Sequence, residues 1–253
     1  MTRINYLLQL ISHAPRLDFG TIFSDSIELF KKTWGYGFLY YIIVFIISLG
    51  ISFFTNPTYL AIIRNLENPE FWNDANYFDR LPIGSYLFMA FVGTFITASL
   101  SVLLLSGFLK IVKKIDYGQE PNVSDLFYYF KSDYIFKAMA LAVATFAIAI
   151  LALILCILPI IYVAVGLTLS TFIFAFNPDL SLSEIIKVAF ALGHKKWGIT
   201  FGLLIVASVF STVIGLLMCL VGIFLTASFT FLPTYFVYKS VIGFDNSENS
   251  EIQ

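Results

Sequence analysis

The chain has 253 residues, of which 59% are hydrophobic and only 12% charged, with a formal net charge of −1 and a mean hydropathy of +0.87. Soluble domains carry about 25% charged residues, so the composition argues against one, and the lack of a basic excess argues against nucleic acid as a partner. Cys156 and Cys219 stand apart in apolar runs, with no CxxC or Cys/His spacing. They read as buried thiols, not as a metal or redox site.

Taken in chain order, residues 1–18 form a short N-terminal segment holding Arg3, His13 and Arg16. Its apolar stretch Tyr6–Ile11 is short and lacks a small-residue cleavage site, so a removable signal peptide is not expected. Four later runs contain no Asp, Glu, Lys or Arg: Thr33–Ile63, Leu81–Leu109, Ala138–Pro178 and Trp197–Tyr238, together 143 positions. A helix rises about 1.5 Å per residue and a bilayer core is about 30 Å thick, so one crossing takes about 20 apolar residues. The first two runs hold one crossing each and the last two hold two. The predicted crossings are 35–55, 83–109, 136–157, 160–177, 197–218 and 222–240. The breaks in the long runs are expected at Leu158–Pro159, where proline removes a helix donor, and near Leu220–Gly222. The expected fold is thus an all-α bundle of six transmembrane helices over 19–243, with 244–253 as a disordered acidic tail.

A pattern recurs ahead of each pair of crossings. Phe23-Ser24-Asp25 to Lys31, Val123-Ser124-Asp125 to Lys131, and Leu182-Ser183-Glu184 to Phe190 all begin apolar–Ser–acidic. Phe23, Ile27, Phe30 and Trp34, like Val123, Phe127, Phe130 and Tyr134, follow the spacing of one helical face. Asn122 with Asp125, and Ser181 with Glu184, have capping-box spacing. The prediction is three hairpins, each preceded by a short cytoplasmic amphipathic helix.

Charge sets the orientation. Of the 15 Lys and Arg, 13 fall on one set of alternating segments and only Arg64 and Arg80 on the other. Basic residues gather on the cytoplasmic side, which places both termini in the cytoplasm of a bacterial cell, with the chain in its inner membrane.

Gly118-Gln-Glu-Pro-Asn-Val-Ser-Asp-Leu-Phe127, Leu158-Pro159-Ile160-Ile161-Tyr162, Asn177-Pro178-Asp179 and Trp197-Gly198 resemble the polytopic membrane domain of some glycerophosphodiester phosphodiesterases and its stand-alone bacterial relatives. The resemblance spans roughly Asp18 to Ser240 and implies a helical membrane domain without the catalytic barrel. It transfers no catalytic residue.

No Ser/His/Asp set, metal cluster or phosphate loop is present, so no catalytic residue, cofactor or metal is expected. The four runs contain no acidic or basic residue, and neither His13 nor His194 lies within a predicted crossing, which argues against a proton-coupled carrier. The candidate headgroup contacts are Lys31, Lys32, Lys110, Lys113, Lys114, Lys195 and Lys196, expected at one level, although topology alone explains a basic cluster. Gly198, Gly202, Ser211 and Gly215, with Ala207, form a small-residue face for packing, within the bundle or between two copies. The loop Asn56–Arg80 carries Tyr59, Phe71, Trp72, Tyr77 and Phe78 for an interfacial anchor or an outer-face contact. Two functional expectations follow. One is a non-enzymatic scaffold, accessory or envelope-maintenance protein; its partners are membrane lipids and a protein or a second copy. The other is a permease or lipid-handling protein whose pathway is lined by residues such as Thr94, Thr97, Thr145, Ser170 or Thr226.

Overall fold

The computed structural model describes residues 2–56, 63, 67–68, 83–155, 157–218 and 221–244. Cys156, Cys219, Arg64, Arg80, the five loop aromatics and the tail from Asp245 lie outside the described residues. The elements are α1 (Arg3–Ser12), α2 (Phe19–Thr55), α3 (Ile83–Asp116), a 3-10 turn (Val123–Phe127), α4 (Ser132–Leu155), α5 (Ile157–Phe176), α6 (Leu182–Lys195), α7 (Trp197–Leu217), α8 (Val221–Thr226), a second 3-10 segment (Ala227–Phe231) and α9 (Leu232–Val241). Among the described residues there is no strand. Five helices, α2, α3, α4, α5 and α7, are long and apolar enough to cross a membrane, which marks the chain as a multi-pass membrane protein.

The sixth expected crossing, 222–240, is built differently. It runs as α8, the 3-10 segment and α9. Pro233, near the start of α9, has no N–H to bond back into the preceding turn, and the local winding tightens just before it. This composite passage forms core: Phe229, Leu232, Tyr235 and Val237 are all buried. The break expected at Leu158–Pro159 lies beside Cys156, outside the described residues; α4 is described as far as Leu155 and α5 from Ile157, with Pro159 inside α5.

The three Ser–acidic segments adopt three different local structures. Asp18 accepts the amide of Thr21 at 2.7 Å and starts α2 at Phe19. No proline interrupts the sequence from there to Thr55, so the first amphipathic segment and its crossing are one continuous rod. The second is a 3-10 turn that buries Leu126 and Tyr129 at a spacing of three, leaving Val123 and Phe127 exposed. The third alone is a separate α-helix, α6, whose Ser181 N–H and Oγ–H donate to the Glu184 carboxylate at 2.9 and 2.7 Å. On α2 the deepest stripe is Ile22, Ser26, Leu29, Thr33, Gly37 and Tyr40, one position away from the expected face. Its small members let the rod close on the 3-10 segment: a Cβ on Gly37 would lie 2.1 Å from the Ser228 hydroxyl oxygen. Phe23 and Phe30 flank that stripe and pack edge-on against Phe229.

α6 does not stand alone either. It folds back along α5, with Val165 and Leu169 facing a column of Ile185, Val188, Ala189 and Leu192, all buried. The two helices cross at glycines, where a Cβ on Gly193 would lie 3.2 Å from the Gly166 Cα. α1 covers α6 in turn.

Candidate functional site

α2 and α3 pack along each other and make the cavity that bears on function. At one end Tyr40 stacks on Phe108, with ring centroids 5.5 Å apart. At the other, a Cβ on Gly93 would lie 2.4 Å from the Thr55 hydroxyl oxygen. Between these contacts the side chains are small, and a cleft of about 450 Å³ remains. α2 lines it with Ser48, Ile51, Ser52 and Thr55, α3 with Ala90, Gly93, Thr94, Thr97, Ala98 and Ser101, and Asn56 closes one end. Both sets repeat every three or four residues, so each is one face of its helix. The walls are neutral: no charged side chain is among the described lining residues.

The hydroxyls here differ from those elsewhere in the spans. Ser99, Ser106, Thr145, Thr168 and Ser170 each turn back onto the carbonyl four residues earlier, at 2.8 to 2.9 Å. In the cleft only Thr55 does so, onto Ile51. Among the described residues none hydrogen-bonds the hydroxyls of Ser48, Ser52, Thr94, Thr97 or Ser101. Each such hydroxyl both donates and accepts, so the cleft offers both functions inside an apolar stretch of sequence. Beside it lies a small apolar niche lined by Phe91, Phe95, Ala142 and Phe146, which shares Thr94 and Ala98 with the cleft.

Of the five hydroxyl residues expected on a pathway, Thr94 and Thr97 line the cleft. Thr145 and Ser170 are satisfied on their own helices, and Thr226 Oγ donates to the Ser211 and Gly222 carbonyls at 2.8 and 2.9 Å, pinning α8 to α7. Ser48, Ser52, Ala90, Ala98 and Ser101 were not among the residues singled out from the sequence. Their helical spacing within two neighbouring charge-free runs is the signal that points to them.

The candidate headgroup lysines divide between two places. Lys114 donates to both oxygens of Asp125 at 2.9 and 2.8 Å, and Lys110 approaches the same carboxylate at 3.9 Å while lying 3.0 Å over the Tyr128 ring. Asp125 also accepts the Asn122 amide, fixing the 3-10 turn against α3, and Lys113 lies 4.8 Å from the Phe244 ring centre. At the same end Lys239 and the Tyr235 hydroxyl donate to Asp116 at 2.5 and 2.7 Å, and Arg3 and Asn177 join α1 to Tyr238. The second place is the far end of α6. Here Tyr162 Oη meets His194 Nδ1 at 2.5 Å, the Trp197 indole donates to the Tyr162 carbonyl, and Lys196 bonds the Ala14 and Pro15 carbonyls. Burial, with Lys195 adjacent, holds the Lys196 ammonium below its ordinary value. Tyr162 is 14 residues along α5 from Phe176, about 21 Å at 1.5 Å per residue, so the basic residues expected at one level form two clusters. Lys31 pairs with Glu28 at 2.6 Å, and Lys32 and Lys195 are exposed.

The small-residue face of α7 also divides. Gly198 has open space around it, and Gly202 makes an ordinary contact with Phe19. Ala207 and Ser211 are buried, and a Cβ on Gly215 would lie 2.8 Å from the Ile223 backbone, so this part of the face packs within the chain. The closest approach of a described glycine to backbone lies outside that face: a Cβ on Gly107 would lie 2.1 Å from the Leu126 carbonyl oxygen.

Searches of protein-family models, curated proteins and solved structures give no match for this chain. The functional reading therefore rests on the geometry of the cleft.

Proposed function

We propose that the chain is a non-enzymatic inner-membrane protein that handles a lipid or similar amphiphile, with the cleft between α2 and α3 receiving its polar part. One observation carries this reading: five hydroxyls without partners among the described residues face a 450 Å³ space between the charge-free stretches of α2 and α3. Bare polar groups are costly against hydrocarbon, so such a space calls for a polar occupant. Beside it Phe91 and Phe146 are exposed and offer an apolar surface for the rest of an amphiphile. The scaffold reading gains less support, because the apolar face of α6, which would recruit a partner, is already covered by α5. In this proposal the composite α8–α9 passage is the sixth crossing and both termini lie in the cytoplasm, a reading supported by the gathering of Arg3, Lys110, Lys113, Lys114 and Lys239 at one end of the bundle. The likeness to the phosphodiesterase-associated membrane domain fits it without adding an activity.

The test is lipid retention. Full-length protein extracted in mild detergent should keep about one lipid molecule per chain through purification. Ala98→Phe, which fills the shared wall of cleft and niche, should lose it while the helix content measured by circular dichroism stays unchanged. Protein that purifies free of lipid, or an Ala98→Phe variant that retains lipid as well as the parent, would overturn the proposal.

A further inference from the structure

The cleft also selects by charge and by hydrogen-bonding type. We infer that it seats the uncharged, hydroxyl-bearing headgroup of a glycerolipid such as a diacylglycerol, with an acyl chain along the exposed rings of Phe91 and Phe146; this rests on the lipid-handling reading above. Three features lead there. The described lining holds Ser48, Ser52, Thr94, Thr97 and Ser101, and no cation or anion. A phosphate or ammonium entering the space would find no counter-charge among the described lining residues, which costs a desolvated ion, whereas a neutral headgroup carries no such penalty. The wall hydroxyls can each give and take a hydrogen bond, so a ligand hydroxyl, with the same dual character, satisfies them in either direction. A ligand that only accepts, such as an ester or ketone, uses half of that capacity.

Exposed aromatic side chains separate a lipid from a free polyol. Phe91 and Phe146, which stand beside Thr94 and Ala98 of the cleft wall, are both exposed. Glycerol would occupy the hydroxyl wall alone. A molecule with a chain attached also lays that chain along these rings, and the hydrophobic effect adds the chain's burial to the headgroup's hydrogen bonds.

The experiment uses the full chain in phosphatidylcholine nanodiscs. The probes are a diazirine-bearing diacylglycerol and the phosphatidate with identical chains, each photocrosslinked and mapped by mass spectrometry. The expected result is crosslinking to 48–56 and 90–101, with diacylglycerol at least tenfold more efficient than phosphatidate. An excess of unlabelled diacylglycerol should compete, and an equal concentration of free glycerol should not. The double variant Thr97→Val and Ser101→Ala keeps side-chain size and should lose about tenfold in labelling. Thr168→Val, a hydroxyl loss remote from the cleft, should label as the parent does and controls for folding. Phosphatidate labelling the same residues equally well, or competition by free glycerol, overturns the headgroup assignment while leaving a lipid site in place. Labelling of neither segment by either probe overturns the lipid-handling reading itself.

Discussion

The two halves of the bundle are built on opposite terms. Around Asp116 and Asp125 the chain is closed: Leu103, Leu104, Phe108, Leu109, Ile111 and Val112 of α3 are buried almost completely, and carboxylates, lysines and tyrosines satisfy one another. Toward the other end of α2, α3, α4 and α7 the large apolar side chains turn outward. Phe54, Leu87, Phe88, Ile154 and Leu217 are all exposed, as suits hydrocarbon, and the space between α2 and α3 is left partly open. Close packing and paired charges fix the first half. In the second, lipid replaces the protein neighbours, and small hydroxyl residues leave room for an occupant.

That contrast can be broken most directly at Asp125. Asp125→Ala strands Lys114, whose side chain is only 14% exposed, and should cost about 3–5 kcal/mol of stability, read as a fall in the thermal midpoint in detergent. A negligible shift would mean that the closed half is not held by this pair. Gly107→Ala should cost about 3 kcal/mol, since the added Cβ meets a backbone carbonyl that has no rotamer by which to yield. Gly198→Ala meets open space and should be neutral or stabilising by up to about 1 kcal/mol, from the better helix propensity of alanine. A destabilised Gly198→Ala would show that this face is covered by another chain in the membrane. Thr97→Val in the cleft should change stability by no more than about 0.5 kcal/mol while reducing lipid retention, and the same melt paired with lipid analysis checks it.

The smallest effect expected is one of pH at α6. The Ser181 hydroxyl and amide hold the Glu184 carboxyl below its ordinary value of 4.5. A carboxyl lowered by folding adds stability that is complete above the ordinary value and is lost as pH falls through the folded one. Amide protection over the first turn of α6, the exchange rate taken relative to the intrinsic rate at each pH, should therefore fall on acidification below pH 4.5, and Glu184→Gln should remove that dependence. Protection that does not change with pH in the unsubstituted chain would show that the cap contributes nothing.

Much of the architecture was legible in the residues. The charge-free runs marked the five long helices, because hydrocarbon tolerates only long uncharged stretches; α4, α5 and α7 keep close to the expected lengths, whereas α2, at 37 residues, and α3, at 34, run on into charged sequence. Asn122–Asp125 and Ser181–Glu184 announced real end-of-helix hydrogen bonds, since those contacts span three residues and need nothing distant. The local form of each repeated segment was not legible. The same apolar–Ser–acidic start became a rod, a 3-10 turn or a helix according to what packed on it: Phe229 against the first, Gly107 and Lys114 against the second, α5 against the third. The site was half readable. Thr94 and Thr97 stood out as hydroxyls in an apolar run, but Ser48, Ser52 and Ser101 matter only because α2 and α3 lie side by side.

The sequence by itself determined that this chain enters a membrane, roughly where, and with what charge asymmetry, because transfer into hydrocarbon depends on composition over about 20 consecutive residues. Tertiary structure alone decided that the last passage is broken core, that the lysines form two clusters, and that small residues of two helices enclose a cleft. Those outcomes depend on which helix faces approach each other, and contact between distant segments leaves no mark on either segment alone.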